Sequence, residues 1–140
     1  MSMGLFIIYL CLSVWQDIRC RCIRRGWFLL FGLFGLAVCI RNQTGPHELL
    51  FSAAIGIVLL VLNYVTEGKV GEGDGWFFIV SGLYLRPENN LLLFLSGLIF
   101  SSTYALALFA TAVTERSGIG KKRIPFLPFL LPMGLWLSAL

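Results

Sequence analysis

Apolar and polar residues alternate in blocks along the chain, and the apolar blocks have the lengths of helices. Short polar breaks, often containing Gly, Pro or Asn, separate them. The six apolar blocks cover residues 4–15, 27–40, 49–65, 75–85, 91–113 and 124–140. This pattern predicts an all-α fold, a bundle of six transmembrane helices in a polytopic membrane protein.

Two of the blocks are too short to cross a bilayer by themselves. A helix needs about 20 residues to cross the hydrocarbon core, whereas residues 4–15 and 75–85 supply 12 and 11. Asp17 follows the first of these blocks and Asp74 precedes the second, and the chain has no other aspartate. Neither block spans unless its helix continues through its aspartate or the bilayer thins locally, and we therefore expect both carboxyl groups at membrane depth, facing a polar cavity.

The composition agrees with a membrane protein and excludes an ordinary soluble domain. The 140 residues are 58% hydrophobic and 13% charged, with a mean hydropathy of +0.85. They suffice for one membrane-embedded domain, residues 1–140, without a linker to a second. No basic region precedes the first block and no small-residue cleavage site follows it, so the first helix is expected to be retained.

The positive charges are concentrated on alternate loops. The first, third and fifth loops carry nine basic residues, and the second and fourth carry only Arg41 and Arg86. The nine are Arg19, Arg21, Arg24, Arg25, Lys69, Arg116, Lys121, Lys122 and Arg123. Because basic loops stay in the cytoplasm, both termini are predicted to face outward, and Asp17 and Asp74 to share the cytoplasmic leaflet. The net charge of +4 thus reflects topology, and no nucleic-acid partner is expected.

Two aspartates that share one site have the chemistry of an aspartic peptidase. Like charges in a poorly solvated place cannot both ionise cheaply, so the pair holds one proton between them. The ionised partner can take a proton from an attacking water, and the protonated partner can donate to the tetrahedral intermediate. The alternative is that Asp17 and Asp74 are only interfacial caps of their helices.

Two glycines flank the acidic residue that precedes Asp74, in the order Gly71-Glu72-Gly73. Glycine suits a backbone with positive φ or one that must approach a substrate strand closely. An extended substrate could be held there by main-chain hydrogen bonds. Gly71, Glu72 and Gly73 are therefore candidate substrate-binding residues, and the alternative is an ordinary flexible turn.

Other catalytic classes lack the residues that they need. His47 and Glu48 begin a zinc-peptidase pattern, but Phe51 stands where the second histidine is required, and the chain has no other histidine. The same absence removes a Ser–His pair, and no phosphate-binding loop is present. Cys20 and Cys22 form a single Cys-x-Cys pair, which is weak evidence for zinc, and they are expected to be free thiols. No metal and no cofactor are predicted.

Three segments resemble the motifs of the type IV prepilin peptidases. Residues 17–23, Asp-Ile-Arg-Cys-Arg-Cys-Ile, are similar to the first-aspartate motif, which has an aspartate, a basic stretch and an isoleucine. Residues 71–74 resemble the family's Gly-x-Gly-Asp, which presenilin-like intramembrane aspartyl proteases share. Residues 124–130, Ile-Pro-Phe-Leu-Pro-Phe-Leu, followed by Gly134, resemble the Ile-Pro-Phe-x-Pro-Phe segment that opens the last helix of the family.

The resemblance implies a membrane-embedded aspartic endopeptidase with Asp17 and Asp74 as its catalytic pair. Its partners would be type IV prepilin-like precursors of a pilus, secretion or competence system, whose short basic leader it would remove on the cytoplasmic side of the bacterial membrane. The chain looks like the short, peptidase-only members, so methyltransferase activity is not expected. Glu67, Glu72 and Glu115 are the acidic residues on that side that could meet a basic leader.

Two positions depart from the family pattern. Arg24-Arg25 stand where the family usually has Pro-Asn, and Trp76 stands where it often has lysine. These departures leave open an altered substrate preference or a peptidase that has lost activity. An alternative from another class is a non-catalytic membrane subunit or a small proton- or ion-linked transporter, although no duplicated half is evident. No feature of the sequence indicates an oligomeric state.

Overall fold

All regular structure in the described part of the chain is helical. The computed structural model describes residues 2–20, 25–68, 71–115 and 126–140 and contains no strand within them. The helices are α1 (Ser2–Cys20), α2 (Arg25–Arg41), α3 (Pro46–Val65), α4 (Glu72–Tyr84), α5 (Pro87–Glu115) and α6 (Leu131–Ala139), with a short 3-10 helix, η1 (Leu127–Leu130), before α6. The predicted all-α class is confirmed.

The two short apolar blocks lie in helices that extend into their polar flanks. α1 continues through Asp17 to Cys20, and α4 begins at Glu72, so that Asp74 lies in its first turn. Gln and Arg are good helix formers, which allows α1 to run past the last apolar residue. Both aspartates therefore lie inside helices, which is one of the two alternatives that the lengths of the apolar blocks left open.

The sixth block departs from the single helix that was predicted over residues 124–140. The described part begins with η1, and a regular helix of 9 residues starts only at Leu131. Pro128 and Pro132 lie within the first two positions of η1 and α6. Proline has no N–H to donate and is tolerated in the first turn of a helix, so two prolines four residues apart favour two successive starts over one uninterrupted helix.

Two helices of the described chain are long and apolar enough to cross a membrane, Pro46–Val65 and Pro87–Thr111. Of the most apolar 18-residue stretch of each helix, only 17% and 11% of the residues are buried within the protein. A core helix of a soluble domain would be mostly buried. The other described helices are shorter or less apolar. With 13 residues, α4 is about 20 Å long, against about 30 Å of hydrocarbon. The bundle of six spans stays a prediction.

Small residues allow α3 and α4 to cross in close contact. A Cβ on Gly56 would lie 2.5 Å from the carbonyl oxygen of Gly75, and a Cβ on Gly82 would lie 2.7 Å from that of Ser52. Ser52 and Gly56 are four residues apart, so both lie on the face of α3 that meets α4. This crossing positions the helix that carries Asp74.

A buried polar network joins α3, α4 and α5. Asn90 is fully buried and donates to the carbonyl oxygens of Ser52 at 2.8 Å and Phe78 at 3.2 Å. It also accepts a hydrogen bond from the Ser81 hydroxyl at 2.8 Å. The Ser52 hydroxyl donates to the carbonyl oxygen of Leu85 at 3.1 Å. Because these side chains all find partners, the network specifies one arrangement of the three helices.

Aromatic residues fill the space between α1, α2 and α4. Tyr9 of α1 stacks on Phe77 of α4, with ring centroids 5.2 Å apart, and donates its hydroxyl to the Phe77 carbonyl oxygen at 3.4 Å. Tyr84 near the other end of α4 donates to the carbonyl oxygen of Phe31 in α2 at 2.6 Å. These contacts hold α4 between its two neighbours.

Candidate active site

Asp17 lies in the last turn of α1 and is half-buried. Its Oδ2 accepts a hydrogen bond from the main-chain N–H of Leu127 at 3.3 Å. Leu127 is the first residue of η1, which packs against α5, where Gly97 leaves the space that the Leu130 side chain fills. The C-terminal segment therefore reaches back to hold the carboxyl group of Asp17.

Asp74 lies in the first turn of α4, beside the glycine that precedes the helix. Its main-chain N–H donates to the carbonyl oxygen of Gly71 at 3.2 Å. A Cβ on Gly71 would lie 2.7 Å from Oδ2 of Asp74, so the absence of a side chain at position 71 makes room for the Asp74 carboxyl group. Glycine at this position thus permits a close approach, and the partner is the candidate catalytic group itself.

The expectation of positive φ in the Gly71-Glu72-Gly73 segment is wrong. Gly71 has φ −64° and ψ 118°, an extended conformation that any residue adopts, and Gly73 lies within α4. Among the described glycines only Gly68 has positive φ, at 83°. The turn that needs glycine for its conformation therefore lies just after α3, three residues before Gly71.

The structure brings Asp17 and Asp74 near each other. The charge of the Asp17 carboxylate acts electrostatically on Asp74, across the contact between α1 and α4. The stacked pair of Tyr9 and Phe77 anchors this contact, because Tyr9 lies about two turns before Asp17 and Phe77 about one turn after Asp74. Two residues that are far apart in the sequence thus lie at the same contact between helices, within range of each other's charge.

Glu72 and Trp76 form an exposed rim on the first turn of α4. The indole N–H of Trp76 donates to Oε1 of Glu72 at 3.3 Å, between residues four apart on one helix face. Both side chains are exposed, and that of Trp76 is 39% exposed. Trp76, which stands where the family that the chain resembles often has lysine, is thus hydrogen-bonded to Glu72, a candidate substrate-binding residue.

Two groups near Asp17 were not among the predicted site residues. The main-chain N–H of Leu127 is one, and a main-chain donor carries no signal in residue type. The other is Gln16, whose side-chain oxygen is buried without a hydrogen-bond partner among the described residues. The sequence could have indicated that Gln16 faces the protein interior, because Tyr9, Ser13 and Gln16 have the i, i+4, i+7 spacing of one helix face.

Several predicted features lie outside the described residues. They are Arg21, Cys22, Ile23 and Arg24 of the first basic loop, Lys69, and residues 116–125, which include the basic residues of the fifth loop and the start of the Ile-Pro-Phe segment. The side chains of Cys20, Arg25 and Glu115 are likewise not described. The predicted orientation of the chain in the membrane rests largely on these residues and stays a prediction.

The chemistry open to this site is acid–base chemistry by carboxyl groups. No group of three or more His, Cys, Asp or Glu side chains that could hold a metal ion occurs in the described ranges. The only histidine, His47, is exposed near the start of α3. Two neighbouring carboxyl groups, one anchored by a main-chain N–H, can share a proton and divide the roles of base and acid.

In the described ranges the protein is helical, with two largely exposed helices long and apolar enough to cross a membrane and a candidate acid–base site built from carboxyl groups. The model of the type IV leader peptidase family matches residues 4–112. The chain belongs to this family and is a peptidase related to the type IV leader peptidases, which confirms the predicted resemblance. Comparisons with curated proteins and with solved structures gave no match.

Proposed function

We propose that the chain is an aspartic endopeptidase that removes the short basic leader from type IV prepilin-like precursors. It would act as a bundle of six membrane helices, with the active site facing the cytoplasm. The observation that carries this proposal is the pairing of Asp17 and Asp74, which are the only aspartates of the chain and interact electrostatically across α1 and α4. Membership of a peptidase family supplies the reaction class.

During hydrolysis one of the two carboxyl groups acts as a general base and the other as a general acid. The ionised carboxylate takes a proton from a water molecule whose oxygen attacks the scissile carbonyl carbon, and the protonated carboxyl group gives its proton to the carbonyl oxygen. Collapse of the tetrahedral intermediate breaks the C–N bond: the carboxyl group that took the proton from water passes it to the departing amine, and a hydroxyl proton of the intermediate returns to the other carboxylate. The Leu127 N–H, which donates to Oδ2 of Asp17 at 3.3 Å, orients that carboxyl group for its role.

The segment before α4 is suited to hold the precursor. Gly71 and Glu72 are exposed directly beside the half-buried Asp74, so the carbonyl oxygens of an extended peptide can accept hydrogen bonds from main-chain N–H groups at the N-terminus of α4. The carboxylate of Glu72 supplies a negative charge close to the scissile bond, which suits a basic leader. Trp76, held by Glu72, offers an apolar surface where lysine would repel a cationic peptide.

The test is cleavage of a prepilin-like precursor by the purified chain in lipid vesicles, read as a gel shift. Asp17→Asn and Asp74→Asn each remove one ionisable group at nearly constant volume, so each should lower the cleavage rate by at least about 100-fold. Glu88→Gln is the matched control, because it neutralises an exposed carboxylate in the first turn of α5 and should leave cleavage unchanged.

Full cleavage by either aspartate variant would refute the proposed function. If the inserted wild-type chain left every precursor intact but moved protons across the vesicle membrane, the carboxyl pair would belong to a transporter instead.

A further inference from the structure

The short helix η1 contacts three helices, and two of them carry the candidate catalytic aspartates. The main-chain N–H of Leu127 donates to Oδ2 of Asp17 in α1 at 3.3 Å. The ring of Phe126, directly before η1, contacts that of Phe78 in α4, with centroids 6.5 Å apart, and Phe78 lies about one turn after Asp74. The third helix is α5, on which η1 packs and which contains no aspartate.

Gly97 provides the space on α5 into which this segment packs. It is buried in the interior of α5, where glycine destabilises a helix relative to alanine. Among the described glycines only Gly68 has positive φ, so the backbone at position 97 does not require glycine. The space does, because a Cβ on Gly97 would lie 2.9 Å from Cζ of Phe126 and would overlap Cδ2 of Leu130. Phe126 directly precedes Leu127, and Leu130 ends η1.

Other contacts hold η1 in place on α5. Leu127 is fully buried, and the ring of Phe129 packs against that of Tyr104, with centroids 5.3 Å apart. The position of the Leu127 main chain is therefore determined by the contacts that its neighbours make with α5. At 3.3 Å its bond to Asp17 is near the long end for N–H···O hydrogen bonds, so a shift of about 0.5 Å is enough to change it.

We propose that Gly97 is a positioning residue for peptide hydrolysis, which acts through η1 to keep the Leu127 N–H on the carboxyl group of Asp17. This inference rests on the proposed function. A side chain at position 97 would displace η1, and with it the donor that orients Asp17. Because Asp17 acts in the chemical step, whereas the proposed substrate-binding segment lies before α4, the displacement lowers kcat and leaves KM nearly unchanged. The geometry of the carboxyl pair thus depends on a helix that contributes no acid to it.

The first measurement compares Gly97→Ala with Gly32→Ala in lipid vesicles, on a synthetic precursor peptide, with kcat referred to the folded fraction found by circular dichroism. Gly97→Ala should lower kcat about tenfold and change KM by less than about twofold. In Gly32→Ala the added methyl group meets only Val80 Cγ2 at 3.9 Å, so both constants should keep their wild-type values. Wild-type kcat in Gly97→Ala would overturn the inference.

The second measurement removes the donor itself. The α-hydroxy acid analogue of leucine at position 127 replaces the main-chain N–H by an ester oxygen. This ester chain should also lose about tenfold in kcat, and adding Gly97→Ala to it should cost less than about a further twofold, because both changes act on one hydrogen bond. The same ester at Leu140, which is exposed at the end of the chain, is the control and should keep the wild-type kcat. Full activity of the ester chain, or losses that multiply in the combined chain, would overturn the inference.

Phe126→Leu tests the same link without adding a methyl group. It removes Cζ, the atom that the space at Gly97 admits, and should lower kcat about threefold in the amide chain and leave it unchanged in the ester chain. If Gly97→Ala does not fold, these two measurements decide the inference. An equal loss in both chains, or no loss in either, would refute it.

The failure of this inference is distinguishable from failure of the proposed function. If the wild-type chain cleaves precursors and the aspartate variants do not, while Gly97→Ala keeps the full kcat, only the role of Gly97 is refuted. If the wild-type chain cleaves no precursor, the proposed function and this inference fall together.

Discussion

Position 71 shows how a single missing side chain shapes the candidate site. The space that a Cβ would take on Gly71 is occupied by Oδ2 of Asp74, at 2.7 Å from the ideal Cβ position. The backbone conformation of Gly71 is open to every residue. Glycine is therefore needed here for the placement of a neighbouring carboxyl group, and the stability of the fold depends little on it.

Gly71→Ala should separate activity from stability. The added methyl group pushes the Asp74 carboxyl group out of place, so the rate of precursor cleavage should fall about 10- to 100-fold, while the unfolding midpoint changes little. Gly4→Ala is the control, because nothing lies within 4 Å of the added methyl group, and it should cleave at the wild-type rate. Unimpaired cleavage by Gly71→Ala would mean that the position of the Asp74 carboxyl group in this structure is not the catalytic one.

At this scale the sequence predicted residue types better than contacts. Asp17 and Asp74 could be singled out because acidic residues at the ends of apolar blocks are costly at membrane depth. The donor from Leu127 could not, because every residue except proline carries a main-chain N–H. The close approach predicted at Gly71 was that of a substrate strand and stays a prediction, whereas the approach of the Asp74 carboxyl group depends on a side-chain rotamer that no sequence pattern specifies.

The stability of α4 as a helix depends on its contacts with neighbouring helices. It has 13 residues, and isolated helices of that length are marginal in water. Its stability therefore comes from the glycine and serine crossing with α3, the Asn90 network and the aromatic contacts with α1 and α2. Because Asp74 lies in its first turn, changes in these contacts also affect the candidate active site.

Gly56→Ala should force α3 and α4 apart. The new Cβ would lie 2.5 Å from the Gly75 carbonyl oxygen and from the main-chain nitrogen of Ile79, neither of which can rotate away. We expect the free energy of unfolding in detergent micelles to fall by about 1–3 kcal/mol. Gly32→Ala is the matched control on α2, where the added methyl group meets only Val80 Cγ2 at 3.9 Å, and it should be neutral or slightly stabilising. Equal stability of the two variants would contradict the described crossing.

Asn90→Ala should lower the free energy of unfolding, because it removes the hydrogen bonds that join α3, α4 and α5. It removes the donors to the carbonyl oxygens of Ser52 at 2.8 Å and Phe78 at 3.2 Å, and it leaves the Ser81 hydroxyl with only the Phe78 carbonyl oxygen as acceptor. The loss of several buried hydrogen bonds should cost about 2–4 kcal/mol of unfolding free energy. Asn42→Ala, at an exposed position in the turn after α2, should change stability by less than about 0.5 kcal/mol. A small effect at Asn90 would show that the network does not form.

Helix existence could be predicted, and helix ends could not be predicted to the residue. Apolar blocks identify the six helices because burial in lipid or core requires them. The last turn of α1, by contrast, contains the charged residues Asp17 and Arg19 and lies outside the apolar block, and the proline pair at the starts of η1 and α6 lies within one. Local backbone chemistry determines these ends, and hydrophobicity does not report it.

For the whole molecule, the arrangement of apolar surface is the main evidence for a membrane. The two apolar spans carry many exposed side chains, such as Leu50 at 66% and Phe109 at 68% exposure, which would be unfavourable in water. Cys11 on α1 is exposed as well and lies within the first apolar block. A thiol at such a position faces hydrocarbon if α1 is embedded and water if it is not.

Labelling of Cys11 with a water-soluble maleimide tests this arrangement. In a chain whose other cysteines are replaced by serine (Cys20→Ser, Cys22→Ser, Cys39→Ser), Cys11 in lipid vesicles should react at least about tenfold more slowly than in denaturant, because hydrocarbon excludes the water-soluble reagent. A chain whose single cysteine is Asn42→Cys should react at nearly the same rate in both. Rapid labelling of Cys11 in vesicles would show that α1 is not embedded.

The hydrogen bond between Leu127 and Asp17 has a consequence for the order of biosynthesis. The two residues are separated by 110 positions, so a ribosome releases Asp17 long before it makes the donor that orients it. Asp74 also emerges well ahead of η1. Under the proposed function, a nascent chain that has made its first four helices carries both acids without the finished geometry, and it would gain proteolytic activity only when the final segment folds back onto α1.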